Sequence, residues 1–262
     1  MASGLLLIMV ENATKIARYL SGLDKTYVAT VRIGWRSTTG DADGELEVEG
    51  DPGAVSEQQL SSAVAAHRGR LTQSIPAYAA KRIHGKRRYE LARAGRDVPE
   101  MTRDVAIHDL DLLSWRSPDA EIRVRCSSGT YVRSLAESIG RAVGCGGYLT
   151  ALRREAIGEW SVADALTVDD LSGPVVLRPV DAFLAFPRLE LNDDDVHIVD
   201  HGTPVLRRHV RQLHGVFTEG AIVVLSDHEG RARAIGRALL DSADWESRMD
   251  EDHVFHYERV LK

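Results

Sequence analysis

The chain has 262 residues, of which 44% are hydrophobic, and a formal net charge of −6. This length suffices for one large and one small domain. The negative net charge gives no global support for nucleic-acid binding, so any RNA-binding surface has to be a local patch. Cys126 and Cys145 do not form a C-x-x-C pair, which argues against a disulfide scaffold or a cysteine zinc site. A reducing, cytoplasmic setting is therefore expected, and no apolar run is long enough to span a bilayer.

Three segments in the first 70 residues have clear patterns. The continuous apolar run Leu5–Val10 predicts a buried strand or core turn, since Glu11 follows at once and no basic segment precedes it. Residues Tyr27–Ile33 alternate apolar and polar side chains, which predicts a strand. Ser56–Arg68 predicts a helix that Ser56 caps.

A polar turn is expected at Ser37–Glu45, before a second strand. Its two carboxylates, Asp41 and Asp43, flank Ala42, a pattern that suggests a metal loop. They lack the further oxygen ligands and the late Glu of a calcium loop. We therefore predict a solvated turn and no metal. The ten histidines are scattered and also form no recognisable metal set.

The dense basic stretch of the chain runs from Lys81 to Arg96, where the one acidic residue is Glu90. Tyr78, His84 and Tyr89 are interleaved with its cations, and this combination favours contact with RNA phosphates and splayed bases. A basic surface helix is the alternative. The residues predicted to bind RNA are Lys81, Arg82, Lys86, Arg87, Arg88 and Arg93.

The segment Cys126–Gly140 joins a predicted strand to a predicted helix. Glu121–Cys126 alternates as a half-buried strand does, and the apolar residues after Tyr131 recur at helical spacing. Thr130 is the predicted N-cap, which places Tyr131 and Arg133 in the first turn, beside free N–H groups that favour an anion. A flat base and a nearby carboxylate or phosphate suit these two side chains. An ordinary capped helix with a surface arginine is the alternative.

Several blocks of the chain resemble one family. Cys-Ser-Ser-Gly-Thr-Tyr-Val-Arg-Ser-Leu from Cys126, the segment Gly144–Leu149, and Leu-Arg-Arg from Leu152 are similar to bacterial tRNA pseudouridine-55 synthases, the TruB family. Asp-Lys-Thr-Tyr from Asp24 matches the family as well, and the resemblance covers about residues 1–171. It implies isomerisation of uridine 55 in the T-loop of tRNA to pseudouridine, with the T-stem-loop as partner and no cofactor.

The resemblance also implies roles for individual residues. Arg133 would pair with the family's catalytic Asp, and Tyr131 would contact the base and assist proton transfer late in the reaction. Tyr27 and Leu152 would hold the uracil ring. For Tyr27 the alternative is a tyrosine that fills a sheet face, which is common in strands.

One departure from the family concerns its signature block, Gly-His-x-Gly-Thr-Leu-Asp-Pro-x-Ala-Ser/Thr-Gly. Ala2, Ser3 and Gly4 match the end of this block, whereas its His and its nucleophilic Asp are absent from the printed sequence. Either the start has been assigned to an internal Met, which we favour, or this is a shortened product that at most binds RNA. The printed chain is expected to be inactive unless the start lies upstream. The alternative function is a non-catalytic tRNA-binding or tRNA-folding protein.

The fold class expected from these patterns is α+β. Residues 1–171 would form a pseudouridine synthase core, truncated at its N-terminus, around a largely antiparallel sheet, and residues 172–188 would form a linker. Residues 189–262 would form a small β-rich domain, in the place where family members carry a PUA-like RNA-binding module. The chain is expected to act as a monomer.

Overall fold

The computed structural model describes residues 2–76, 78–79, 82–83, 86–93, 99–173, 175 and 177–261, with only the backbone described at 82–83, 86–87, 91–93 and 182. The chain divides into two compact units, Met1–Leu7 with Tyr19–Thr167 and Ile8–Arg18 with Val168–Lys262. The predicted limits of 1–171, 172–188 and 189–262 rest on the extent of the family resemblance and on the proline-containing segment before residue 189, and they stay predictions.

The helices and strands as far as residue 161 alternate without a long run of either kind. In chain order they are β1 (Ala2–Gly4), α1 (Ala17–Ser21), β2 (Lys25–Ile33), β3 (Trp35–Ser37), β4 (Leu46–Val48), α2 (Glu57–Ala66), β5 (Gly69–Ser74), β6 (Arg82–Ile83), β7 (Lys86–Arg87), α3 (Arg88–Arg93), β8 (Thr102–Arg116), β9 (Asp119–Cys126), α4 (Val132–Ala142), β10 (Gly147–Ile157) and β11 (Trp160–Ser161).

Within the described part of the first unit, seven strands form one sheet in the order β1-β10-β2-β9-β8-β5, with β11 beside β10. Only β1 runs parallel to its neighbour, and the other pairs are antiparallel. The prediction of a largely antiparallel sheet is confirmed. The pairs β3–β4 and β6–β7 form separate two-stranded sheets.

One face of this sheet carries the core of the first unit. Alternation along β2 places Ala29, Val31 and Ile33 on that face, where each is at most 1% exposed. Leu135 and Ile139 of α4 pack onto the same core. The opposite face is charged, as the ion pair between Arg32 and Asp119 in neighbouring strands illustrates. The sheet is therefore half-buried, as its alternating sequence predicts.

The predicted helix after Ser56 is confirmed as α2, since Ser56 accepts from the Gln59 N–H and the Gln59 side chain accepts from the Ser56 N–H. The prediction that Leu5–Val10 is a buried strand or core turn is wrong. Leu5 is buried, but Leu6 and Ile8 are 67% and 70% exposed. The strand at this place is β1, which pairs with β10 before the apolar run begins.

The second unit is rich in short strands, as predicted. They are β12 (Arg188–Leu191), β13 (Val205–Leu206), β14 (Val210–His214), β15 (Ile222–Ser226), β16 (Ala232–Ala238) and β17 (His253–Val260). In the described residues of this unit, these six form one sheet in the order β13-β17-β16-β15-β12-β14. Its core includes Leu189, Leu225, Ala234 and Phe255. Among the described residues, no helix is long and apolar enough to cross a membrane.

Candidate active site

The entry into α4 is held by the edge strand β5. Tyr131 is the N-cap residue, and its backbone N–H donates to Oε1 of Gln73 at 3.0 Å. The prediction of Thr130 as the N-cap is wrong, because the Thr130 hydroxyl donates to the Ser127 carbonyl at 2.9 Å instead. Ser134 adds a second tie, since its hydroxyl donates to the Ser74 carbonyl of the same strand. Tyr131 and Arg133 thus lie at the start of a firmly placed helix.

Arg133 forms a mostly buried ion pair with Asp41. Its Nη1 lies 3.0 Å from Oδ2 of Asp41, and the two side chains are 22% and 18% exposed. The same nitrogen donates to the Thr39 carbonyl at 3.1 Å, and Nη2 donates to the Tyr78 carbonyl at 3.3 Å. The prediction that Asp41 lies in a solvated turn is therefore wrong. Its partner is 92 residues further along the chain, and no local pattern signals this contact.

The turn between β3 and β4 directs Asp41 toward α4. Gly40 has a φ of 75°, a conformation that favours glycine. A Cβ atom there would lie 2.6 Å from Oε1 of Glu137 and 3.2 Å from Cβ of Arg133, so the turn packs directly on the helix. The Thr39 hydroxyl donates to Oδ1 of Asp41 at 2.5 Å. Both carboxylate oxygens of Asp41 thus have donors, which fixes the carboxylate in place.

Tyr27 and Leu152 lie on neighbouring strands and share one face of the sheet. Tyr27 is paired with Arg154, and Leu152 is paired with Ala29. Directly paired residues point to the same side, and Ala29 belongs to the core under α4, so Tyr27 and Leu152 lie on that side too. Both are partly buried against the core.

The environment of the Tyr27 phenol keeps it neutral. Burial raises the pKa of this group above its ordinary value, and a hydrogen bond with the Arg154 guanidinium partly offsets the rise. Arg154 is itself anchored, because its Nε donates to the Leu5 carbonyl at 2.7 Å. A neutral phenol beside a fixed guanidinium is suited to contact with an uncharged, polar ring.

Arg88 is a clamp rather than an RNA contact. It is 2% exposed, and its guanidinium donates to the carbonyls of Ile75, Pro76 and Pro99 at 3.1, 3.2 and 2.8 Å. The Ile75 N–H donates to the Met101 carbonyl, so the end of β5 and the beginning of β8 lie side by side. The prediction that Arg88 binds RNA is wrong, because a guanidinium enclosed in this way cannot reach a phosphate.

The other predicted RNA-binding residues stay predictions. Lys81 lies outside the described residues, and the side chains of Arg82, Lys86, Arg87 and Arg93 lie outside them as well. In the described part of the chain, no three His, Cys, Asp or Glu side chains form a group that could hold a metal ion.

Comparison with known proteins decides the family. Residues 1–132 match the TruB family pseudouridylate synthase N-terminal domain, and residues 133–184 match the tRNA pseudouridylate synthase B C-terminal domain. The chain belongs to the TruB family of pseudouridine synthases. It is 43% identical over 209 residues to tRNA pseudouridine synthase B of Azoarcus sp. (strain BH72), covering 77% of this chain and 69% of that protein. With the enzyme of the same name from Cupriavidus metallidurans it shares 38% identity over 246 residues, 90% of this chain and 78% of that one.

Solved structures show the same fold. A chain in the crystal structure of a Cbf5–Nop10–Gar1 complex matches with a TM-score of 0.76 at 22% identity, over 100% of this chain and 73% of that one. A chain in an H/ACA ribonucleoprotein bound to a substrate RNA containing 2′-deoxyuridine matches with a TM-score of 0.73 at 21% identity, over 97% and 70%. The α+β fold class, with a small β-rich second unit, is confirmed, and the PUA-like character of that unit stays a prediction.

The family membership expected from the sequence is likewise confirmed, and TruB enzymes are isomerases. The roles expected for Tyr27, Tyr131, Arg133 and Leu152 stay predictions. Sequence reasoning missed two residues of the site, Asp41 and Gln73, since both act through partners far away in the chain.

Proposed function

We propose that this protein isomerises uridine 55 in the T-loop of tRNA to pseudouridine. The observation that carries the proposal is the mostly buried pair of Arg133 and Asp41 at the start of α4, on the side of the sheet that also presents Tyr27 and Leu152. Its relatives are named for tRNA pseudouridine synthesis. The T-stem-loop of tRNA is the substrate that we assign to this side of the sheet. The expected monomeric state and cytoplasmic location stay predictions.

The reaction sets three tasks for the site. The N-glycosidic bond must break, the uracil must rotate, and its C5 must join C1′ of the ribose. The base must first leave its stack and enter the protein, which costs a few kcal/mol. Tyr27 offers an aromatic surface and Leu152 an apolar one to offset this cost. After C5 joins C1′, the hydrogen on C5 is lost as a proton, and Tyr131 is the side chain that we assign to this late step.

Arg133 is the group that would hold a nucleophilic carboxylate. Three protein oxygens already fix the plane of its guanidinium, yet an arginine has five N–H donors, so donors remain for a second carboxylate. A guanidinium at contact distance lowers the pKa of a carboxyl group by about 1–3 units. The nucleophile would therefore stay ionised and aimed at the sugar.

Asp41 is not the residue that we assign as nucleophile. Its two oxygens are engaged by Thr39 and Arg133, and an attacking carboxylate needs a free oxygen. The family's nucleophilic Asp belongs to the signature block whose end matches Ala2–Gly4, and this block is not among the printed residues. We assign the role of nucleophile to the Asp of this block, and binding of the T-stem-loop to the residues described above.

The test uses tRNA labelled with tritium at C5 of uridine, because isomerisation at a labelled uridine releases that tritium to water. Protein carrying the signature block should release one tritium per tRNA, and none from tRNA with cytidine at position 55. The printed chain should bind the T-stem-loop. Release that is independent of position 55, or a printed chain that binds the T-stem-loop no better than a scrambled hairpin, would contradict the proposal.

A further inference from the structure

Arg103 ends a row of buried side chains on β8. Alternation along this strand places Arg103, Val105 and Ile107 on one face. Val105 and Ile107 are 4% and 1% exposed, whereas Arg103 is exposed. Arg103 is paired with Gln73 of β5, and directly paired residues point to the same side of a sheet. Gln73 is the buried residue that accepts the Tyr131 N–H. Arg103 therefore projects on the side of the sheet that holds the entry into α4.

The guanidinium of Arg103 lies directly over the turn before Tyr131. Gly129 has a φ of 81°, and a Cβ atom there would overlap the carbon and both terminal nitrogens of the Arg103 guanidinium. The glycine thus lets the cation rest on the backbone two residues ahead of the predicted base-contacting tyrosine. The residue is exposed, so its side chain can be reached from solvent.

The charge of Arg103 is not neutralised by its sequence neighbour. Asp104 points to the opposite face of β8, where it accepts the Thr72 hydroxyl at 2.6 Å. Within the described residues, no ion pair or hydrogen bond of the Arg103 side chain is found. An exposed arginine that is held against backbone, and that no described side chain pairs with, is available for an external anion.

We propose that Arg103 binds a backbone phosphate of the RNA strand that carries the target uridine. This inference rests on the proposed function, because a uridine that reaches Tyr131 brings its own phosphates to the turn at Gly129. A planar guanidinium can donate two parallel N–H groups to the oxygens of one phosphate. Arg103 then fixes the strand next to the base that Tyr131 and Tyr27 receive.

The test compares Arg103→Gln with Arg70→Gln in the printed chain. Arg70 lies on β5, is exposed and is paired with Ala106, so its side chain projects from the other face of the same sheet edge. Both substitutions remove one positive charge, and neither is expected to shift the melting temperature by more than about 2 °C. The probe is a synthetic T-stem-loop RNA, and its dissociation constant is measured across a range of salt concentrations.

Arg103→Gln should weaken binding about tenfold and lower the slope of log affinity against log salt by about 0.7–0.9, the contribution of one phosphate. Arg70→Gln should stay within about twofold of the wild type. Arg103→Lys should keep the slope, because it keeps the charge.

Three results would overturn the inference. Equal behaviour of the Arg103 and Arg70 variants would remove Arg103 as a phosphate contact while leaving wild-type RNA binding, and hence the proposed function, intact. Weaker binding by Arg103→Gln at an unchanged salt slope would assign Arg103 to packing on Gly129. A wild-type chain that does not bind the T-stem-loop above a scrambled hairpin would remove the proposed function and the inference together.

Discussion

Substitution of Arg88 by alanine separates its two possible roles. A phosphate contact on the surface would leave the stability of the protein unchanged and weaken RNA binding. The structure instead places the guanidinium at 2% exposure, bound to the carbonyls of Ile75, Pro76 and Pro99. Arg88→Ala should therefore destabilise the fold.

The magnitude follows from the three hydrogen bonds. Each contributes about 1 kcal/mol net, and an acceptor left buried without a donor adds to the loss. Arg88→Ala should thus lower the free energy of unfolding by about 3 kcal/mol. For a unit of this size, each kcal/mol corresponds to about 2–4 °C in melting temperature, so the transition of the first unit should shift downward by about 6–12 °C.

Thermal unfolding followed by circular dichroism measures this shift, with Arg70→Ala as the matched control. Arg70 is exposed, so its variant should melt within about 1 °C of the wild type. An Arg88→Ala protein that melts together with the Arg70→Ala protein would refute the clamp and restore Arg88 as a candidate RNA contact.

Three further predictions concern the site itself. Asp41→Asn should lower turnover about tenfold to hundredfold in the tritium assay, because Arg133 loses its charged partner, while the same change at the exposed Asp43 should not; equal rates would contradict the positioning role. Since burial raises the pKa of the Tyr27 phenol, the unfolded chain loses this proton first, and stability falls as pH rises from about 10 through the folded-state pKa. Urea unfolding at about pH 9 and about pH 11 measures this loss as the difference in the free energy of unfolding between the two pH values. Tyr27→Phe should make the difference smaller, and an unchanged difference would contradict the burial. Gln73→Leu removes the acceptor at the N-cap of α4 and should cost about 1–3 kcal/mol in the same assay; a cost below about 0.5 kcal/mol would contradict the tie.

Local patterns predicted the elements that carry the site. Alternation along Tyr27–Ile33 and Glu121–Cys126 predicted β2 and β9, and helical spacing after Tyr131 predicted α4, because each pattern reflects burial of one face of its own element. The position of the predicted catalytic residues at the start of α4 followed from this. The N-cap was misplaced by one residue, since Gln73, from another strand, takes the N–H of Tyr131.

What could not be predicted depends on partners distant in the chain. Asp41 lies in a segment with the polar composition of a surface turn, and only the packing of Gly40 on α4 brings it to Arg133. Arg88 belongs by sequence to a basic surface stretch, but Ile75, Pro76 and Pro99, which flank that stretch, present three carbonyls to it. In both cases the type of side chain is visible in the sequence, whereas the groups that it contacts depend on the fold.

The most direct test of the proposed function is to delete the gene for this protein in its own organism and map pseudouridine in the T-loop of the cellular tRNAs. The proposal predicts that uridine 55 remains unmodified in the deletion strain and is isomerised again when the gene is restored at its locus. Pseudouridine at position 55 at the wild-type level in the deletion strain would contradict it.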